Sequence, residues 1–342
     1  MKMPELKDGI SKLIDEYHER NAEPPRPHMG CSILGHYCDR WLWLSFRWAV
    51  QPKFPGRVLR LFRRGQNEEA TIVSDLRAIG IDIRNTNAAQ SRVDLGCHVS
   101  GSIDGIIESG VPEAPAKRHI AEFKTHSKKS FDDLEKQGVK ISKPQHYAQM
   151  QLYMHGTKIS RALYVAVCKD DDRIYTERVR YEKDTAESLL ARGHKIATDD
   201  RLPPPISTDP TWYQCRFCDA HSFCHGSRIT NHVNCRTCAH STAMQDGAWR
   251  CEKHSADGIP VEFQRQGCEG HVIHPDLVPW KMAESDNEWE AAYIIDGVHV
   301  RNGEAGEGVY SSAEIIANSG LCAIGDDIVS KLRDVFDARI EG

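Results

Sequence analysis

The chain has 342 residues, 40% hydrophobic and 27% charged, with a formal net charge of −5. That is the balance of a folded globular chain rather than a disordered one. No apolar run approaches the roughly 20 residues a membrane-spanning helix needs, which sets aside a helical membrane protein. The charge is uneven: from Lys281 onward there are 13 acidic and 5 basic residues, leaving the first 280 at +3, so the acidic total does not exclude a body that meets nucleic acid.

In chain order, MKMPELKDGISKLIDEYHER reads as an amphipathic helix rather than a signal peptide, which places the protein in the cytoplasm. NAEPPRPHMG cannot continue that helix. CDRWLWLSFRWAV and RVLRLFRRGQNEEATIVSDLRAIG predict two further helices, the second stopped by Gly80. The runs IDIR, SRVDL, HVSGSIDGIIE and RHIAEFK read as strands of one sheet. PQHYAQMQLYMHG has helical period, ALYVAVC and RIYTERVRY add two strands, and a helix around Thr185 to Ala197 precedes the turn-prone RLPPPIS. The pattern is α/β, a sheet flanked by helices.

Between Arg40 and Arg64, seven basic residues and no acid are interleaved with Trp41, Trp43, Phe46 and Trp48. This suits either a phosphate-contacting surface or a basic helix over an aromatic core. The strand HIAEFKTH carries Glu122 and Lys124 two residues apart, hence on one face. Asp104, in GSIDG, can meet Glu122 if the two strands are neighbours, and two such oxygen ligands suit a hard divalent cation. Lys124 could then orient or help deprotonate the attacking water and balance charge on a phosphate under attack. Of the helical carboxylates Glu68 and Glu69, Glu69 is preferred as a third ligand. Gln149 and Tyr153, four apart on one helix, share a face; Gln149 can support the site and Tyr153 can meet a DNA strand.

Twelve cysteines in a chain with no visible export signal argue for metal ligation rather than disulfides, the more so as seven fall between Cys215 and Cys268. Cys97, Cys168 and Cys322 stand in apolar contexts and read as buried thiols.

Taken together and in order, Gly65-x3-Glu69, Gly101-x2-Asp104, Glu122-x-Lys124 and Gln149-x3-Tyr153 resemble the motifs of the PD-(D/E)XK nuclease superfamily, in particular its RecB-like exonuclease branch. Cys38 followed by Cys215-x2-Cys218-x5-Cys224 resembles the cysteine layout of the CRISPR-associated RecB-like exonucleases (the fourth Cas family), the AddB nuclease domain and phage-encoded relatives. The resemblance spans about residues 31–228. It implies a restriction-endonuclease-like core with a central mixed sheet, acting as an exonuclease on single-stranded or frayed DNA ends in phage or bacterial DNA processing or recombination; a phage-encoded chain would work in the host cytoplasm.

The residue roles expected are Asp104, Glu122 and Glu69 as ligands of Mg2+ or Mn2+, Lys124 positioning the water, Gln149 in support, and Tyr153 with Arg60, Arg63 and Arg64 guiding the strand. The resemblance further implies a 4Fe-4S cluster on Cys38, Cys215, Cys218 and Cys224, closing a loop of nearly the whole domain. Spacing alone allows zinc in the same thiolates, and Cys31 competes with Cys38 for the fourth position.

A second set, Cys235-x2-Cys238 with Cys251 and Cys268, lies outside the resemblance and reads as a structural zinc module in which His240, His254, His271 or His274 could replace one thiolate. In the acidic tail, Ser311 and Glu314 form a capping box before a glycine stop, and the acidity suits a solvated face or a protein partner. The expected organisation is an N-terminal helix and linker (1–30), the nuclease domain (31–228), the cysteine-rich zinc module (229–279) and the acidic C-terminal segment (280–342). The competing reading is an inactive nucleic-acid-binding adaptor that keeps the nuclease scaffold and works through the zinc module and tail.

Overall fold

The computed structural model describes residues 9–317, 324, 326–336 and 338–340. In chain order they form α1 (Gly9–Arg20), β1 (Met29–Gly30), α2 (Asp39–Phe46), α3 (Gly56–Ala78), β2 (Asp82–Arg84), β3 (Arg92–Asp94), β4 (Val99–Ser102), β5 (Gly105–Ser109) and β6 (His119–His126). Next come α4 (Lys128–Ser142), α5 (Pro144–Thr157), β7 (Arg161–Cys168), β8 (Ile174–Arg180), α6 (Lys183–Thr198) and α7 (His221–His225). The chain continues with β9 (Ser241–Ala243), β10 (Trp249–Cys251), α8 (Val261–Gln266), β11 (Lys281–Ala283), β12 (Ala291–Ile295), β13 (Val298–Asn302), β14 (Val309–Tyr310), α9 (Ser312–Ala317) and α10 (Asp327–Phe336). No described helix is long and apolar enough to cross a membrane. Two compact units result, one from the chain up to His36 with Pro52–Gly193, the other from Tyr37–Gln51 with the chain from His194 onward. The expected boundary after residue 228 therefore falls inside the second unit.

The first unit is built on a five-stranded mixed sheet in the order β2-β5-β6-β7-β8. Only the β6–β7 pair is parallel, and the crossover between them is long enough to hold α4 and α5, as a parallel connection requires. Helix α3 lays Ile72, Val73 and Leu76 against Ile83, Ile107, Ala121, Phe123, Leu163 and Val165, forming one apolar core. Because strand side chains alternate, the neighbours of Ala121 and Phe123 on β6, Glu122 and Lys124, point to the other face, which α5 covers.

The run 98–108 was expected as strand of a single sheet. It breaks at Ile103–Asp104, and its first half, β4, pairs with β1 and β3 in a separate three-stranded sheet. Helix α4 went unforeseen; it contains Gly138 at φ +74°, where the helix kinks, a conformation that costs glycine nothing.

In the second unit, buried aromatics enclose the guanidinium groups of Arg47 and Arg236. Arg47 lies over the Trp43 and Trp249 rings and pairs with Asp200 at 2.9 Å. Arg236 lies over Trp48 at 3.8 Å and donates to Gln264 Oε1 and the Phe46 carbonyl, each at 2.9 Å. The aromatics of the basic stretch after Arg40 are thus largely core: Trp43, Phe46 and Trp48 are buried, because their flat faces take the guanidinium groups that a solvated surface would have hydrated.

The tail also holds more structure than its acidity suggested. A four-stranded sheet β11-β12-β13-β14 forms there, and the capping box is made, with Ser311 N–H donating to Glu314 Oε2 at 2.8 Å and Glu314 N–H to Ser311 Oγ at 3.2 Å. Glu314 is buried against Arg333, so this acid does not belong to a solvated face. Cys97 and Cys168 are buried, as expected. Cys322 and the glycine stop lie outside the described residues.

Candidate active site

The local geometry starts from where β5 ends. Its ladder with β6 closes at Gly105↔Ala121, which leaves the Phe123 N–H beyond the last pair. Asp104 fills that gap: Phe123 N–H donates to Asp104 Oδ2 at 2.7 Å. The carboxylate is thereby fixed beside the stretch of β6 that carries Glu122 and Lys124. Lys124 Nζ donates to Glu122 Oε1 and, at 3.0 Å, to the Phe123 carbonyl. Glu122 is 0% exposed and its Oε2 is buried without a hydrogen-bond partner, while Lys124 keeps 27% of its side chain exposed. A buried, orphaned carboxylate oxygen needs either a proton or a cation.

The electrostatics agree with that arithmetic of charge. Burial first, then Asp104 and Glu69, push the Glu122 carboxyl up to about 8 against the opposing pull of Lys124. Glu69, on α3, rises to about 7 through burial and the Asp104 charge. Asp104 is also raised, again by burial. For Lys124 burial works downward, yet the carboxylates around it win and hold its ammonium above the ordinary lysine value. Three carboxyl groups around one ammonium retain extra protons, and a divalent cation would displace them.

Gln149 and Tyr153 stand where α5 covers this face. Gln149 Nε2 donates to Tyr153 Oη at 3.2 Å, and a Cβ built on Gly101 would meet that same oxygen at 2.6 Å. Gly101 is therefore the close approach that lets the Tyr153 ring pass over β4. Tyr153 is 2% exposed, with its phenol raised by burial and then by the Glu122 charge. This places the ring beneath the carboxylates, buried, where the sequence had pointed to a ring that meets a DNA strand. Of the three arginines expected to guide DNA, Arg60 pairs with Asp15 on α1, Arg63 lies 3.3 Å from the His18 ring and Arg64 donates to the Lys169 carbonyl at 3.1 Å.

Three polar residues went unnoticed in the sequence. His126 shares the face of Glu122 and Lys124, two residues further along β6. Tyr164 lies across from Glu122 in the β6–β7 register, and its hydroxyl joins His126 Nε2 and His146 Nδ1, each at 2.9 Å. Both imidazoles are pushed down, chiefly by burial, to about 4 and about 3, so they are neutral at pH 7. Strand parity from Lys124 points to His126, and the step of three from Gln149 points to His146.

In the second unit Cys38, Cys215, Cys218 and Cys224 line one pocket. Cys38 caps α2, accepting from the Trp41 N–H at 3.4 Å. Burial, with the neighbouring thiols adding to it, pushes Cys218 up to about 11. Cys31, the competing ligand, belongs to the first unit, where burial and the Glu122 charge raise it to about 12. Among the described residues no three His, Cys, Asp or Glu side chains converge closely enough to hold a metal ion as they stand.

No protein-family model matches the chain, and no curated protein matches it in sequence. Solved structures do match, at a distance. The chain is similar to SSO0001, at 14% identity over 62% of this chain and 95% of that one, with a TM-score of 0.39. It is similar to LHK-Exo in complex with dAMP, at 12% identity over 54% and 90%, TM-score 0.36. A further structure of this alkaline exonuclease, from Laribacter hongkongensis, gives 14% identity over 53% and 90%, TM-score 0.33. Likenesses of this size carry no weight for fold or function.

Proposed function

We propose that the chain is a divalent-metal-dependent deoxyribonuclease of the PD-(D/E)XK type, an exonuclease on single-stranded or frayed DNA ends. The observation that carries the reading is the unpartnered, buried Glu122 Oε2 in a group that also holds Asp104 and Lys124. Hard carboxylate oxygens with retained protons fit Mg2+ or Mn2+. When bound, such a cation supplies Lewis acidity at the phosphate and a more acidic water.

The chain's own residues do the rest. Asp104, pinned by the Phe123 amide, and Glu122, fixed by strand pairing, hold oxygens at set positions, and Glu69 brings a third carboxylate from α3. Lys124, kept as an ammonium by those carboxylates, acts as a donor: it orients the attacking water and neutralises charge gathering on the phosphate oxygens. Gln149 and Tyr153 buttress the carboxylates from α5. DNA as substrate and the exonucleolytic mode come from the motif resemblance.

The four thiols around one pocket suit a thiolate-bound group, and the resemblance favours 4Fe-4S over zinc. Iron and acid-labile sulfide in a brown preparation would support the cluster, and a colourless zinc protein would remove it.

The test of activity is labelled DNA incubated with Mn2+ or with EDTA. Shortening with Mn2+ alone, lost in Lys124→Ala while DNA binding persists, supports the proposal. Chelator-insensitive binding without shortening would make the chain an adaptor instead.

A further inference from the structure

We propose that Cys235, Cys238, Cys251 and Cys268 bind one structural zinc ion, as a four-thiolate site. The inference goes beyond the nuclease reading and holds whether or not the first unit cuts DNA.

Four separate stretches of chain bring these cysteines together. Cys235 and Cys238 close one tight turn, the Cys238 N–H donating to the Cys235 carbonyl at 3.1 Å. The chain then enters the β9–β10 hairpin, whose register sets Cys251 opposite Ser241, so the third cysteine returns within three residues of Cys238. The segment after Cys268 crosses the same turn: Val272 N–H donates to Cys238 Sγ at 3.5 Å, and Ala239 N–H to the Val272 carbonyl at 2.8 Å. Cys235 Sγ approaches the Phe263 carbonyl of α8 at 3.6 Å, which ties in the remaining element. As S–H groups the four cysteines do not converge to bonding distance; ligation turns the side chains inward and sends their protons to solvent.

The four histidines near these cysteines sort themselves by their partners. His271 spends both ring nitrogens, on Ser312 Oγ at 2.7 Å and Thr237 Oγ1 at 3.1 Å. His274 does the same with Asp200 Oδ1 at 3.3 Å and the Asp276 N–H at 3.1 Å. His240 Nε2 is turned to the Trp289 carbonyl at 3.3 Å. His254 Nε2 lies 3.8 Å from Cys268 Sγ, and it would sit outside the ion as a hydrogen-bond partner of that sulfur.

The segment has little regular structure to hold its turns: its strands are three residues long and α8 six, and these four cysteines are all free thiols. The turn also aims Arg236, which stands between the first two ligands, into the ring box of Trp48, Trp249 and Phe46. A zinc ion would fix that turn, and with it the guanidinium.

Zinc content of the purified full-length chain tests the site. Cys251→Ser and Cys268→Ser should each hold one zinc per chain fewer than wild type, whatever the first cysteine set contains, while His254→Gln should hold as many as wild type. Co2+ exchanged into the wild-type chain should show thiolate-to-cobalt charge transfer at the intensity of four sulfurs, a readout that does not depend on any variant folding. Equal zinc in wild type and both cysteine variants, or a cobalt spectrum with two sulfurs or fewer from this set, would overturn the assignment.

Discussion

Divalent-cation binding at the carboxylate group should be steeply proton-coupled, and the structure fixes its window. Glu122 and Glu69 are raised from 4.5 to about 8 and about 7, so at about pH 6 both are mostly protonated and at about pH 9 both are ionised. A cation must displace whichever protons remain. Affinity should therefore rise with pH, by about tenfold per unit for each proton released: up to about 100-fold between pH 6 and 7, about tenfold between 7 and 8, and little above 8.

Lys124, held as an ammonium, adds nothing to this slope. The sign for stability is the reverse. Without a cation the folded state binds more protons than the unfolded chain, so the contribution of these two carboxyls is greatest below about pH 4.5 and is lost as pH rises toward 8. Calorimetric titration of Mn2+ in buffers of different ionisation enthalpy counts the released protons. Close to two at pH 6 and close to none at pH 9 is the expected result, with Glu69→Gln releasing about one fewer at pH 6. An affinity that stays flat from pH 6 to 9, with no proton release, would refute the electrostatic reasoning.

Gly101→Ala puts a Cβ 2.6 Å from Tyr153 Oη, so denaturant unfolding should show a loss of about 1–3 kcal/mol, partly recovered in the double variant with Tyr153→Phe; full additivity would show that the two residues do not meet. Arg236→Lys cannot keep both acceptors and the stacked rings, and should cost about 1.5–3 kcal/mol, read from Trp fluorescence during unfolding; a neutral result would mean that the ring box tolerates any cation. Glu314→Ala strands Arg333, with which it is buried, and should destabilise by about 3–5 kcal/mol, where a solvated acid would give no measurable change.

Strand parity alone aligned Glu122 with Lys124, because a two-residue repeat survives any tertiary context. The meeting of Asp104 with Glu122 was legible only on the condition that their strands are neighbours, which the β5–β6 ladder meets. What did not show was that the chain leaves one sheet and enters another at Asp104, for the same apolar alternation serves either sheet. Arg47 and Arg236 were illegible for a related reason: an arginine among tryptophans reads alike on a surface and in a core, and only Asp200, Gln264 and the ring faces, distant in sequence, decide between them. His126 was legible and overlooked, as it continues the parity of Lys124. The tail sheet hid behind its acidity, which resides largely on residues outside the ladder.

The most direct measurement is a crystal of the full chain soaked in Mn2+ and examined by anomalous scattering. One or two manganese peaks bonded to the Asp104 and Glu122 carboxylates, with Lys124 Nζ turned to a water beside them, are what this account requires. A peak elsewhere, or none at a Mn2+ concentration that supports DNA shortening, would contradict it.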